Sequence, residues 1–137
     1  MKIKTTLVII GVIKKNNKFL LTYRDEKTKY DSWANHHWQF PGGGIEYGES
    51  TEDTIIRELK EEIGIDVKII QLLPKIVTQR RNNWQGILIC YLCDYNEEQP
   101  VKLNNEASKY GWFSTEEIKG LKSLPGTNEI ALEATKI

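Results

Sequence analysis

The sequence predicts an α+β fold in which a mixed β-sheet is flanked by helices. Three observations carry that expectation. Short β-branched apolar runs outnumber the helical stretches. The runs follow one another across polar turns, as hairpin strands do. One segment also has both ends of a helix written in its residues. The chain of 137 residues suits one domain and is too short for two ordinary ones. No repeat, low-complexity tract or Pro/Ser-rich linker divides it, so residues 1–137 are expected to form a single domain.

Taken in order, Thr5–Ile13 is β-branched and apolar, Lys14–Lys18 is a polar turn, and Phe19–Tyr23 returns, which is a hairpin by pattern. Residues 24–37 carry charges, Asn35, His36 and His37 without periodicity and read as a long loop. Pro41-Gly42-Gly43-Gly44 is a break that demands unusual backbone angles. Ser50 is an N-cap with Asp53 three residues on, helical pattern runs to Ile63, and Gly64 sits where a left-handed C-terminal residue belongs. Asp66–Leu73, Ile76–Arg80, Gly86–Tyr95 and Tyr110–Phe113 read as strands. Ser114 with Glu117 marks a second helix start, and a last helix begins near Thr127.

Composition narrows the classes of function. Lys plus Arg and Asp plus Glu number 19 each, giving a net charge of zero. Without a basic footprint, no long nucleic acid and no membrane surface are expected as partners, whereas a small charged ligand is held by local groups. Cys90 and Cys93, the two cysteines, exclude a disulfide framework. Their run reads as a buried strand, where residues three apart face opposite sides, so a redox or zinc pair is not expected. Lys2 and Lys4 before Leu7–Ile13 imitate a signal peptide, but the run is short, lacks a small-residue cleavage site and leads into Lys14-Lys15. A cytoplasmic protein is expected, as monomer or homodimer.

The chemistry concentrates on the capped helix. On a wheel of about 100° per residue, Ile55, Ile56, Leu59 and Ile63 share the arc expected to be buried, and Glu58, Glu61 and Glu62 share a neighbouring one. Carboxylates three and four residues apart lie roughly 5–6 Å apart at Cβ. In a partly buried setting two such charges repel by about 3 kcal/mol. Arg57 reaches Glu61 at i+4, while Glu58 and Glu62 have no sequence-local partner on their own side. Two readings compete, a solvated acidic face and a site for a hard divalent cation that takes oxygen ligands.

Context decides between them. From Gly43 the sequence fits G-x5-E-x7-R-E-U-x-E-E-x-G-U, with Gly43, Glu49, Arg57, Glu58, Glu61, Glu62 and Gly64 at the fixed positions and Leu59 and Ile65 as the aliphatics U. At roughly one chance in fifteen per fixed position, a random match is rarer than about one in ten million per window. The chain resembles the Nudix hydrolase superfamily, of which this is the signature box. Trp38-Gln39-Phe40-Pro41-Gly42-Gly43 is similar to the usual approach to that box, and Glu106 with Trp112-Phe113 and Glu116-Glu117-Ile118 to its usual C-terminal segment.

The resemblance implies a Nudix-type α/β/α sandwich and Mg²⁺, with Mn²⁺ as a substitute, held by Glu58, Glu61, Glu62 and the carbonyl of Gly42. It implies catalytic roles for Glu61, Glu49, Arg57 and Glu106, with Arg57 orienting carboxylates and the base either a helix glutamate or Glu106. Arg24, Trp38, Phe40 and Gly43 are its substrate-binding candidates. Tyr23, Trp33, Trp38, Phe40, Trp84 and Tyr91 are possible stacking platforms for a base, of which one or two are expected to touch it. His36 and His37 are not expected to be ligands, and Arg80-Arg81-Asn82-Asn83-Trp84 reads as a hairpin turn.

The implied activity is hydrolysis of a phosphoanhydride in a nucleoside diphosphate linked to another moiety. Nucleoside triphosphate going to monophosphate and pyrophosphate leads the candidates. Dinucleoside polyphosphates, nucleotide sugars and ADP-ribose follow. The dinucleoside-polyphosphate branch usually carries a glutamine between the proline and the glycines, which is absent here. A catalytically idle domain binding nucleotide or protein is the remaining alternative, against which the intact carboxylates argue.

Overall fold

The computed structural model describes residues 2–26 and 33–137. Among the described residues the strands are β1 (Lys4–Lys15), β2 (Lys18–Arg24), β3 (Trp38–Gln39), β4 (Gly42–Gly44), β5 (Val67–Leu72), β6 (Val77–Arg81), β7 (Trp84–Tyr95) and β8 (Ala107–Phe113). The helices are α1 (Thr51–Ile63), α2 (Thr115–Lys119) and α3 (Thr127–Thr135). The expected α+β architecture of a mixed sheet flanked by helices is what forms.

The alternating pleat of β1 organises the layers. Ile9 and Ile13 point to one face, where they meet Ile55, Leu59 and Ile63 of α1. Ile10 and Val12 point to the other, where Ile118 of α2 and Ile130, Ala131 and Ala134 of α3 close the second core. Each fully buried Ile, Leu or Phe contributes about 1.5–3 kcal/mol of transfer free energy, so both helix layers are held mainly by apolar burial. Gly11 lies on the α1 side, where a Cβ would come within 2.7 Å of Leu59 Cδ1. Cys90 belongs to one core and Cys93 to the other. Burial pushes both thiols up to about 12, so they are inert packing groups.

β1 runs parallel to β7 from Lys4↔Trp84 to Ile13↔Cys93 at the sheet centre. Its other edge is shared. β4 takes Val8 to Ile10, and β2 pairs only at Lys14↔Phe19 and Lys15↔Lys18. Asn16 and Asn17 turn that hairpin with φ of 51° and 62°, the left-handed pair that a two-residue turn between twisted strands requires. The glycine break is thus also a strand. β4 reaches the edge of β1 because Gly42 has no side chain: a Cβ there would lie 2.1 Å from the Ile9 carbonyl oxygen. Of the stretch 24–37 read as loop, Arg24 closes β2 and 33–36 form a turn. Residues 27–32 of that reading lie outside the described residues.

Candidate active site

Helix α1 is built as its residues dictate. Ser50 Oγ accepts from the Asp53 N–H at 3.0 Å, and Gly64 at φ 71° donates its N–H to the Lys60 carbonyl. These caps fix the rotation of the helix, and with it which glutamates meet the sheet. The buried side is Thr54, Ile55, Leu59, Glu62 and Ile63, while Ile56 is 40% exposed. Ile56 therefore does not belong to the buried face as expected. On the wheel Glu62 lies within about 20° of Ile55, whereas Ile56 lies about 100° away on the far side. The sheet packs on the 55/59/62 line, so a glutamate is buried and an isoleucine is not.

Glu62 is 5% exposed, and its Oε2 accepts the backbone N–H of Gly42 at 2.8 Å. Burial pushes its carboxyl well above the usual range, and the charges of Glu106 and Glu58 push the same way, against the Gly42 N–H and the more distant Arg24. Burial likewise raises Glu58, outweighing the bond from Arg57, with Glu61 and Glu106 adding to the rise. Glu106, on the segment before β8, thus shares an electrostatic neighbourhood with both helix carboxylates. Asn104 N–H donates to the Glu62 carbonyl at 3.1 Å and Asn104 Oδ1 accepts from Glu106 N–H at 3.0 Å, which ties that segment to the end of α1.

Arg57 is the hub of the outer half. Its Nε and Nη2 grip the two oxygens of Glu49 at 2.6 and 2.9 Å, and Nη2 also donates to the Gly44 carbonyl at 3.1 Å. Nη1 reaches Glu58 at 2.9 Å and Glu61 at 3.3 Å. Glu58 does have a sequence-local partner, contrary to expectation, because a long guanidinium folded across the helix surface reaches its i+1 neighbour. Glu49 is held down at about 2, first by Arg57, then by the Glu46 N–H. Glu61 stands at the rim, its side chain 57% exposed.

A cavity of about 260 Å³ opens beside the glycine bend. Arg24 and Gly42 to Gly44 line one side, Phe40, Trp33 and Trp84 supply aromatic walls, and Gln79 and Thr127 stand at the α3 side. Gly43 has its own reason to be glycine, since a Cβ would fall 2.5 Å from the Glu58 carboxylate carbon. Arg24 Nη2 is paired with Glu26 at 2.6 Å. Of the expected stacking residues, Trp38 and Tyr23 pack on each other at 5.3 Å, and Trp38 on Phe113 at 4.8 Å, away from the cavity lining. Strand alternation turns Gln39, not Trp38, to the cavity. Tyr91 is buried, its hydroxyl bonded to Thr51 and Glu52. Neither His36 nor His37 lines the cavity. The 81–84 turn places Arg81 over the Trp33 ring at 4.9 Å. Gln79, Thr127 and the α3 side of the cavity carry no sequence motif that marks them as part of the site.

As the side chains stand, no three carboxylate, histidine or cysteine groups among the described residues converge as a metal cage. Glu58 is turned to Arg57 and Glu62 to the Gly42 N–H. The donor set nonetheless fits a hard cation. A buried carboxylate near two more carboxylates, bonded by one neutral N–H and with Arg24 acting on it only from a distance, is under-compensated, and oxygen donors are what a hard cation takes.

Residues 3–133 match the model of the NUDIX domain family, and the chain belongs to that family. It is 35% identical over 74 residues to the 8-oxo-dGTP diphosphatase of Escherichia coli, covering 53% of this chain and 54% of that protein. It is 55% identical over 42 residues to the RNA pyrophosphohydrolase of a Nitratiruptor species, covering 30% of this chain and 27% of that protein. The matched stretches thus span about a quarter to a half of these relatives' length. The crystal structure of the MutT protein from Methanosarcina mazei superposes with a TM-score of 0.81 at 25% identity, over 100% of this chain and 99% of that one. Nudix hydrolases generally use divalent metal ions. No helix among the described residues is long and apolar enough to cross a membrane.

Proposed function

We propose that this protein hydrolyses a phosphoanhydride bond in a nucleoside diphosphate derivative with Mg²⁺, and that nucleoside triphosphate, giving monophosphate and pyrophosphate, is its substrate. The observation that carries this reading is the contact between Glu62 and Gly42. It places a buried carboxylate of α1 against the same glycine bend that lines the cavity. Two relatives whose names denote diphosphate or pyrophosphate cleavage support it.

Glu58, Glu61, Glu62 and the Gly42 carbonyl would hold the ion, which when bound would supply charge neutralisation and a water more acidic than bulk. The residues of the chain do the rest. Arg57 locks Glu49 and Glu58 in place through a guanidinium fork, so the carboxylates are set before substrate arrives. Glu49, with its oxygens already bonded to Arg57, Thr54 and the Glu46 N–H, is too weak a base near neutrality and acts by position. Glu106, or Glu61 at the rim, takes the proton as the water oxygen bonds to phosphorus and the P–O anhydride bond breaks. Arg24, a cation beside the glycine bend, meets phosphate oxygens, Gly43 leaves room for close approach, and Phe40 walls the cavity where the base lies.

The test is product analysis of the purified protein with Mg²⁺ against nucleoside triphosphates, a dinucleoside polyphosphate, a nucleotide sugar, ADP-ribose and a triphosphorylated RNA oligonucleotide. Pyrophosphate with monophosphate from the free nucleotide supports the reading. Two nucleotide or sugar-phosphate products would reassign the substrate, and no turnover would mark an idle domain.

A further inference from the structure

Gln79 is one of the polar side chains in the cavity wall, with Thr127 on the same side and Arg24 and Gln39 among the others. It sits on β6, is only 7% exposed and lines the cavity. Its amide donates from Nε2 to the Pro125 carbonyl oxygen at 2.8 Å. A carbonyl oxygen can only accept, so this bond fixes which end of the amide is nitrogen and leaves Oε1 as the free end. No partner for Oε1 is found among the described residues. Two residues beyond Pro125, Thr127 is 4% exposed, lines the same cavity and brings a second oxygen that can accept. α3 begins at Thr127 after Gly126, whose φ of 93° turns the chain there. The strand β6 and the start of α3 therefore converge with two acceptor-capable oxygens on one side of a space about 260 Å³ in volume. That volume is near the lower end of ligand sites and suits one ring system.

An acceptor that faces a cavity without a protein partner is left unpaired when a ligand fills the space, so such a cavity discriminates for ligands that complete it. A primary amine on a flat ring presents two N–H donors at its outermost point, which matches two acceptors at the wall. We infer that Gln79, with Thr127 beside it, is a specificity-determining residue that selects a nucleobase carrying an exocyclic amino group. The inference rests on the reading of the cavity as a nucleotide site and adds to it the edge of the base that is read.

The experiment is binding of nucleoside monophosphates with and without that amine, followed by fluorescence of the tryptophans in the cavity wall. Guanosine is compared with inosine, and adenosine with purine riboside, on wild type, Gln79→Leu and Gln79→Met. Wild type should bind the amino-bearing member of at least one pair about 10- to 100-fold more tightly. Both variants should bring that ratio to about 1 while binding the amine-free member within a few-fold of wild type. If Gln79 only braced Pro125, all ligands would weaken together and the ratio would stay, which would overturn the inference. Equal binding of both members by wild type, or no binding of any, would also overturn it. Discriminating binding without any hydrolysis of the triphosphates would retain the inference and reject the proposed reaction.

Discussion

Glu62 Oε2 and the Gly42 N–H meet at 2.8 Å across twenty residues of sequence. This bond joins the inner face of α1 to the edge of β1 through β4. It also explains how a glutamate comes to lie in a mostly apolar helix face. The acid is held where the glycine bend lines the cavity, and the rest of the site is arranged around it.

Replacing Glu62 by glutamine removes the charge with little change of shape. Turnover should fall on the order of 10³-fold, the scale of losing one strong electrostatic group in a site. Stability should move the other way. Because the folded carboxyl is raised above its ordinary 4.5, the folded state holds the proton more tightly than the unfolded chain. Metal-free wild type therefore loses stability as pH rises from about 4.5 through the raised value. In EDTA at pH 8, Glu62→Gln should melt at or above the wild-type Tm, measured by circular dichroism.

Gly42→Ala and Gly43→Ala separate scaffold from site. At Gly42 the new methyl meets backbone, the Ile9 carbonyl, and the cost should be about 3 kcal/mol or more in urea unfolding. At Gly43 the nearest atoms are those of the Glu58 carboxylate, the far end of a side chain rather than backbone. Gly43→Ala should keep a near-wild-type unfolding midpoint while kcat falls, by about 10- to 100-fold.

The Glu49–Arg57 fork should be visible in acid. Glu49 is lowered from 4.5 to about 2, chiefly by Arg57, so its contribution to stability is present above about 4.5 and is lost as pH falls towards 2. Thermal melts from pH 6 to 2 should show wild type losing its advantage over Glu49→Gln across that window. A constant Tm difference at all pH values would contradict the assignment.

Removing divalent ions should abolish hydrolysis and restoring Mg²⁺ should recover it, with pyrophosphate release as the readout. Mg²⁺ should also raise the Tm of wild type, since an ion that binds the folded state alone stabilises it by mass action. The same addition should leave the Tm of Glu58→Gln/Glu62→Gln unmoved.

Much of this was legible in the residues because it is local. The caps at Ser50 and Gly64, the box spacing and the alternation of β1 are decided within a few residues, and the sheet and α1 follow them. What was not legible depends on contacts between distant segments. The burial of Glu62 in place of Ile56 depends on where the sheet crosses α1. Arg57 bonding Glu58 depends on how a long side chain folds back. Trp38 has the composition of a stacking platform, yet the β2–β3 pairing Tyr23↔Trp38 gives its ring to Tyr23 and Phe113. Gln79 carries no motif at all. Only the meeting of β6 with Pro125 makes its free oxygen a feature of the cavity.

Titration of Mn²⁺ followed by electron paramagnetic resonance of the free ion, on wild type and Glu62→Gln, tests the central claim most directly. Wild type should bind Mn²⁺, and the variant should bind at least about 10-fold more weakly while its circular dichroism spectrum is unchanged. Equal affinity in the two proteins would show that the ion is held elsewhere, and would contradict the assignment of the α1 carboxylates.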